Sequence, residues 1–160
     1  METKPHIRIR KASEQDIPAL TEMASKLLQE IQLATHDLDF DVEPLPVRRH
    51  LEDLLERGSY RVLVADSGSE QIGFAGLFEG HALYAGGALG TITELFVKPE
   101  WREKGVGRQL LAGIFELARR QGWRRVEVTT PPLPEFERIM HFYQCEGFAV
   151  TGGRKLRRLM

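Results

Sequence analysis

Residues 91–122 set the tightest limit on how this chain folds. Thr91 to Val97 is an apolar, strand-forming run closed by Lys98-Pro99. Gly105 and Gly107 follow, and from Val106 to Gln121 the residues Leu110, Leu111, Ile114, Leu117 and Ala118 recur at helical spacing until Gly122 stops them. The segment is therefore a strand, a tight loop and an amphipathic helix. The first amides of such a helix have no intrahelical partner and face outward with the positive end of its dipole. Glycines beside them let a ligand approach the backbone closely. Together these features make a cradle for a phosphate or pyrophosphate, and Arg102, Lys104 and Arg108 add positive charge around it. The same two glycines also suit a sharp turn with no ligand at all. Two nucleotide fingerprints fail here. A dinucleotide loop needs a third glycine where Leu110 stands, and a P-loop needs Lys-Ser/Thr where Arg108-Gln109 follow Gly107.

The rest of the chain surrounds this unit with alternating elements. His6 to Arg10 alternates as a half-buried strand, and Ser13 precedes a helix with an apolar stripe from Ile17 to Ile31. Ala34 to Pro46 reads as a loop, and a second helix is predicted over Val47 to Glu56. Strands are predicted over Arg61–Ala65 and Gln71–Phe78, the latter thinned by Gly73 and Gly76. Gly80 to Gly90 is read as a mobile connection or an irregular hairpin. After the central helix come a strand over Val126–Thr130, a proline-rich connection, a helix over Phe136–Cys145, and two short strands near Phe148–Thr151 and Lys155–Leu159. The order predicts one α/β domain spanning residues 1–160: a mixed, mostly antiparallel sheet of six to seven strands flanked by about four helices.

Composition narrows the function classes. Twenty-two basic and 23 acidic side chains leave a formal charge of -1, so no broad electrostatic pull toward nucleic acid or anionic membrane is expected. The single cysteine, Cys145, excludes an intrachain disulfide and any multi-cysteine metal site. The first ten residues lack the apolar core of a signal peptide, and no apolar run approaches the ~20 residues of a membrane span. A cytoplasmic protein without a metal is the expectation.

Two segments carry a specific resemblance. Arg102-x-x-Gly105-x-Gly107, between an apolar strand and an amphipathic helix, resembles the acyl-CoA pyrophosphate loop of the GNAT acyltransferase superfamily. Glu103 stands where that family often has another glycine. Downstream, Phe142-Tyr143-Gln144-Cys145-Glu146-Gly147-Phe148 is similar to the family's Phe/Leu-Tyr-x-x-x-Gly-Phe signature. Phe136 and Ile139 occupy positions where family members often carry asparagine and alanine. The resemblance implies the GNAT fold, with acetyl-CoA as cosubstrate. Its pyrophosphate would lie on the backbone of Arg102, Glu103, Lys104, Gly105, Val106, Gly107 and Arg108, and its pantetheine arm on that of Leu95, Phe96 and Val97. It also implies that Tyr143 protonates the departing thiolate. A phenol of pKa about 10 beside a thiol of about 8.5 makes that transfer chemically reasonable. Tyr143 equally shares a helical face with Phe136, Ile139 and Met140, as a core residue would.

Acetylation of an amine needs the neutral nitrogen, so a base must take its proton. Glu94, three residues before Val97 on the same strand, is the first candidate, and a glutamate serves there as base in some family members. His81, Tyr84 and His141 are the alternatives. Asp37, Asp39, Asp41 and Glu43 alternate like the start of a calcium loop, but Val42 and Arg48 stand where glycine and glutamate are required. They read instead as a solvated loop, or as an acidic lip favouring a cationic amine, since the family's corresponding segment shapes the acceptor site. His36 and His50 have no metal-binding spacing. Arg119, Arg120, Arg124 and Arg125 suit a helix end, and Arg154, Lys155, Arg157 and Arg158 suit the protection of an edge strand. The expected activity is N-acetylation of a small-molecule primary amine. The alternatives are acetylation of a protein lysine or amino terminus, or a non-catalytic acyl-CoA-binding module. Relatives often dimerise, which leaves a homodimer open.

Overall fold

The computed structural model describes residues 5–131 and 136–160. The chain divides into two compact units, Met1–Thr129 and Thr130–Met160.

The first unit holds a five-stranded sheet in the order β1 (Ile7–Lys11), β2 (Tyr60–Ser67), β3 (Glu70–Ala82), β4 (Gly87–Val97) and β5 (Val126–Val128). The first four strands pair antiparallel and β5 joins β4 in parallel. Helices α1 (Ile17–Thr35) and α2 (Pro44–Glu56) lie between β1 and β2 in sequence, and α3 (Val106–Gln121) between β4 and β5. The period-two alternation of β2 places its residues on both faces. Val62 and Val64 bury with Phe74 and Phe96 against Leu20 and Met23 of α1 and Leu51 of α2. On the opposite face α3 packs closely: a side chain at Gly113 would strike Ile9 and Leu63, so the missing Cβ lets helix and sheet meet.

Two elements depart from the sequence reading, and a third settles between its two alternatives. Proline at the first helical turn is pre-set for the helix, and α2 starts at Pro44, inside the segment read as loop. The Gly80–Gly90 connection is a hairpin: β3 runs to Ala82, a short 3-10 turn covers Leu83–Ala85, and Gly86 and Gly87 reverse the chain at φ of 69° and 141°. The two closing strands do not form, which leaves five strands rather than six to seven. Residues 148–160 have no regular secondary structure. Gly152 and Gly153 sit at φ of 85° and 82°, outside the extended region, and Leu156 and Leu159 remain exposed. The alternation of Arg154 to Leu159 thus has no partner edge to bury its apolar side.

β4 has two local irregularities. Gly76 of β3 faces Glu94 while Leu77 faces Ile92, so Thr93 is an extra, bulged residue. Pairing with β5 covers only Gly90, Thr91 and Ile92. From Thr93 to Val97 the strand pairs with β3 alone, and among the described residues no strand covers its other edge.

The second unit holds α4 (Glu137–Cys145) and the irregular tail after it.

Candidate active site

The uncovered half of β4 leads directly into the glycine loop. Glu94, Leu95 and Val97 are half-buried, and Phe96 points into the core beside Phe74. A short 3-10 turn over Pro99–Trp101 follows. Arg102 is the anchor of this loop. Its Nε donates to the Val97 carbonyl at 2.8 Å, its guanidinium lies 5.5 Å from the Phe96 ring centroid, and it pairs with Glu30 of α1 at 2.8 Å. The Lys104 ammonium covers the Trp101 ring at 5.3 Å. Glu103 and Gly105 take left-handed φ values of 61° and 84°. Glu103 accommodates that conformation as an exposed side chain, which explains how a non-glycine is tolerated there. Gly105 caps α3, and the first helical bond runs from the Gln109 amide to the Gly105 carbonyl. The amides of Val106 and Gly107 therefore project from the helix end.

Glu94 faces a different space. A cavity of about 350 Å³ lies between the sheet and the two helices before it. Its helical walls are Leu20, Ala24 and Leu28 of α1 and Val47, His50, Leu51 and Leu54 of α2. Asp39, Phe40 and Asp41 of the connection close one side, and Tyr60, Phe74 and Glu94 form the sheet wall. The Glu94 carboxylate accepts hydrogen bonds from the Tyr60 hydroxyl and the Thr93 hydroxyl, both at Oε2. Among the described residues, Oε1 accepts none and no Lys or Arg pairs with the group.

The Tyr60–Glu94 bond spans two strands. Tyr60 belongs to β2 and Glu94 to β4, with Gly76 of β3 between them. A Cβ at Gly76 would lie 1.8 Å from the Tyr60 hydroxyl and 2.6 Å from Glu94 Oε2, so only glycine lets the phenol cross the intervening strand. Burial, reinforced by the adjacent Glu94 charge, pushes the Tyr60 phenol well above its ordinary value and keeps its proton in place as a donor. Sequence reasoning missed Tyr60. The available signal was Gly76 itself, since glycine inside a strand marks a close approach.

The other candidates fall elsewhere. Asp39 and Asp41 of the acidic segment line the cavity, and Asp41 pairs with His50 at 3.1 Å. His81 stands opposite Ala88 near the end of the β3–β4 hairpin, and Tyr84 at its turn is 71% exposed beneath Arg125. Neither lines the cavity. His141 lies 3.5 Å from Cys145 Sγ on α4. Arg119 and Arg120 pair with Glu116 in the last turns of α3. Among the described residues no group of three metal-ligating side chains converges, and no helix is long and apolar enough to cross a membrane.

In the second unit, Tyr143 is buried on α4. The rings of Phe142 and Phe148 meet it edge-on at 5.3 and 5.2 Å. Burial raises the phenol above its ordinary value, so it remains protonated at neutral pH.

Comparison with known proteins separates fold from substrate. An aminoglycoside N-acetyltransferase, AAC(6')-Iy, solved in complex with CoA, superimposes with a TM-score of 0.80 at 20% identity, over 99% of this chain and 98% of that one. An integron cassette protein from the mobile metagenome of Cole Harbour salt marsh gives 0.78 at 25% identity, over 95% and 90%. A ribosomal-protein-alanine N-acetyltransferase from Brucella melitensis biovar Abortus 2308 gives 0.75 at 18% identity, over 96% and 100%. No curated protein sequence matches the chain. Residues 58–150 match the family described as the acetyltransferase (GNAT) domain. With that match over more than half its length, the chain belongs to the GNAT acetyltransferase family.

Proposed function

We propose that this protein transfers an acetyl group from acetyl-CoA to the primary amine of a small molecule by direct attack. One observation carries the reading: Glu94, held by two neutral hydroxyls and, among the described residues, by no cation, lines a cavity from the strand that runs into the glycine loop. The family match runs through both compact units, which supports treating residues 1–160 as one catalytic domain.

The loop suits the proposed cosubstrate. Outward amides at Val106 and Gly107, the left-handed turn at Glu103 and Gly105, and the side chains of Arg102, Lys104 and Arg108 form an anion-binding end. The uncovered edge from Leu95 through Phe96 to Val97 suits the amides of a pantetheine arm. Acetyl-CoA supplies an acyl group activated as a thioester. Glu94, directly or through one water, takes the proton from the amine nitrogen as the N–C bond forms. Tyr143 gives its hydroxyl proton to the sulfur as the C–S bond breaks. Burial penalises a phenolate and an expelled thiolate alike, so a nearby proton donor spares the site a buried thiolate. The products are the acetamide and the free CoA thiol. The similarity to an aminoglycoside acetyltransferase supports a small-molecule acceptor.

The test is release of CoA thiol from acetyl-CoA across a panel of polyamines, aminoglycosides, amino acids, arylamines, and lysine or amino-terminal peptides. Release should depend on one small-amine class and fall about 10²-fold in Tyr143→Phe, with CoA binding retained. Turnover unchanged in that variant removes Tyr143 from the mechanism. Release with peptides alone replaces the small-molecule reading with a protein acceptor.

A further inference from the structure

The cavity beside Glu94 has an uneven chemistry. Its polar groups sit on the sheet wall, at Glu94 and Tyr60, and on the α1–α2 connection, at Asp39 and Asp41, with His50 of α2 beside them. Between them the surface is hydrocarbon and aromatic: Leu20, Leu28, Leu51, Leu54, Phe40 and Phe74. Its volume, about 350 Å³, stands at the lower end of the ~300–1,000 Å³ found for small-molecule sites. That is room for one ring or a short chain.

These walls discriminate among amines. An aminosugar carries a hydroxyl on nearly every carbon, and each one placed against leucine or phenylalanine loses water without gaining a partner. A hydrocarbon body gains from the same walls in proportion to the area it buries. The ammonium of such a body meets a carboxylate that no cation among the described residues answers, whereas Asp41 at the other side is already paired with His50. We infer that the acceptor is a compact monoamine on a hydrocarbon body, an arylalkylamine or short alkylamine, with its nitrogen at Glu94 and its chain against α1 and α2. This rests on the reading of Glu94 as the group that receives the amine.

A homologous series tests it. Primary alkylamines from ethyl to hexyl, with benzylamine and phenethylamine, are compared with 1,4-diaminobutane and glucosamine by thiol release. kcat/KM should rise about threefold for each added methylene until the cavity is full. The diamine and the aminosugar should trail the best monoamine by at least about tenfold. Leu54→Ala enlarges the cavity at a partly exposed position and should move the plateau to a longer chain. A flat dependence on chain length, a preference for the diamine or aminosugar, or an unmoved plateau overturns the inference while leaving acetyl transfer standing. If no amine releases thiol, transfer itself fails, and calorimetry on the CoA-saturated protein decides the site. Binding that tightens with chain length, with an increasingly negative heat-capacity change, upholds the hydrocarbon site. Binding indifferent to chain length rejects it.

Discussion

Two carboxylate clusters on the same sheet are paired to very different degrees. Near its β1 edge, Arg10 joins Asp16 and Asp66: the guanidinium contacts Asp16 at 2.7 Å through two nitrogens and Asp66 at 2.5 and 3.2 Å. Asp16 also accepts from the Ser13 amide at 2.7 Å, and both acids are buried. Arg10 and the Ser13 donors hold the Asp16 carboxyl down at about 2. On β4, Glu94 has, among the described residues, only the hydroxyls of Tyr60 and Thr93, and a cavity in front of it. The first cluster spends its charge inside the protein, tying β1, β2 and the start of α1 together. The second leaves Oε1 without a hydrogen bond among the described residues. Full pairing stabilises; partial pairing leaves capacity for chemistry.

Substitutions should separate the two. Glu94→Gln keeps the size and the hydroxyl contacts but cannot take a proton. It should cut kcat by about 10³-fold with little change in unfolding free energy, read by steady-state kinetics beside urea denaturation. A kcat within a few-fold of the parent makes Glu94 a second structural carboxylate. Arg10→Met should do the reverse. Stranding two buried acids costs about 3 kcal/mol in urea, while turnover per folded molecule stays within twofold. The same titrations carry a pH signature. Because the folded value of Asp16 lies near 2, below its ordinary 3.8, its contribution is complete above pH 4 and disappears as pH falls toward 2. It amounts to roughly 2 kcal/mol and should be absent in Arg10→Met. The smallest effect belongs to Tyr60→Phe, which removes the donor across Gly76 but keeps the ring. It should lower kcat about tenfold with KM for acetyl-CoA unchanged. A loss confined to stability would assign Tyr60 to packing alone.

The parts legible in the sequence are those whose signals are local. The β4–loop–α3 unit stands where Thr91–Val97, Gly105, Gly107 and the stripe from Leu110 to Ala118 place it, because strand period, glycine conformation and helix period act over a few residues. The family resemblance rests on that stretch together with Phe142–Phe148. The closing strands were misread for the complementary reason: alternation near Phe148 and Lys155 resembles a strand, but a strand also requires an edge to pair with and a face to bury. The sequence also placed acids at Asp39 and Asp41 and a glutamate at Glu94 without showing that they border one space.

What the chain's own letters determined, then, is the β4–loop–α3 unit and the family, since each is written in residues within about one helix or strand of one another. Tertiary structure alone decided that Tyr60 reaches Glu94 from 34 residues away over the bare backbone of Gly76. It also decided that hydrocarbon from α1, α2 and β3 encloses that carboxylate. Such contacts depend on register, strand order and helix packing, which no local pattern specifies.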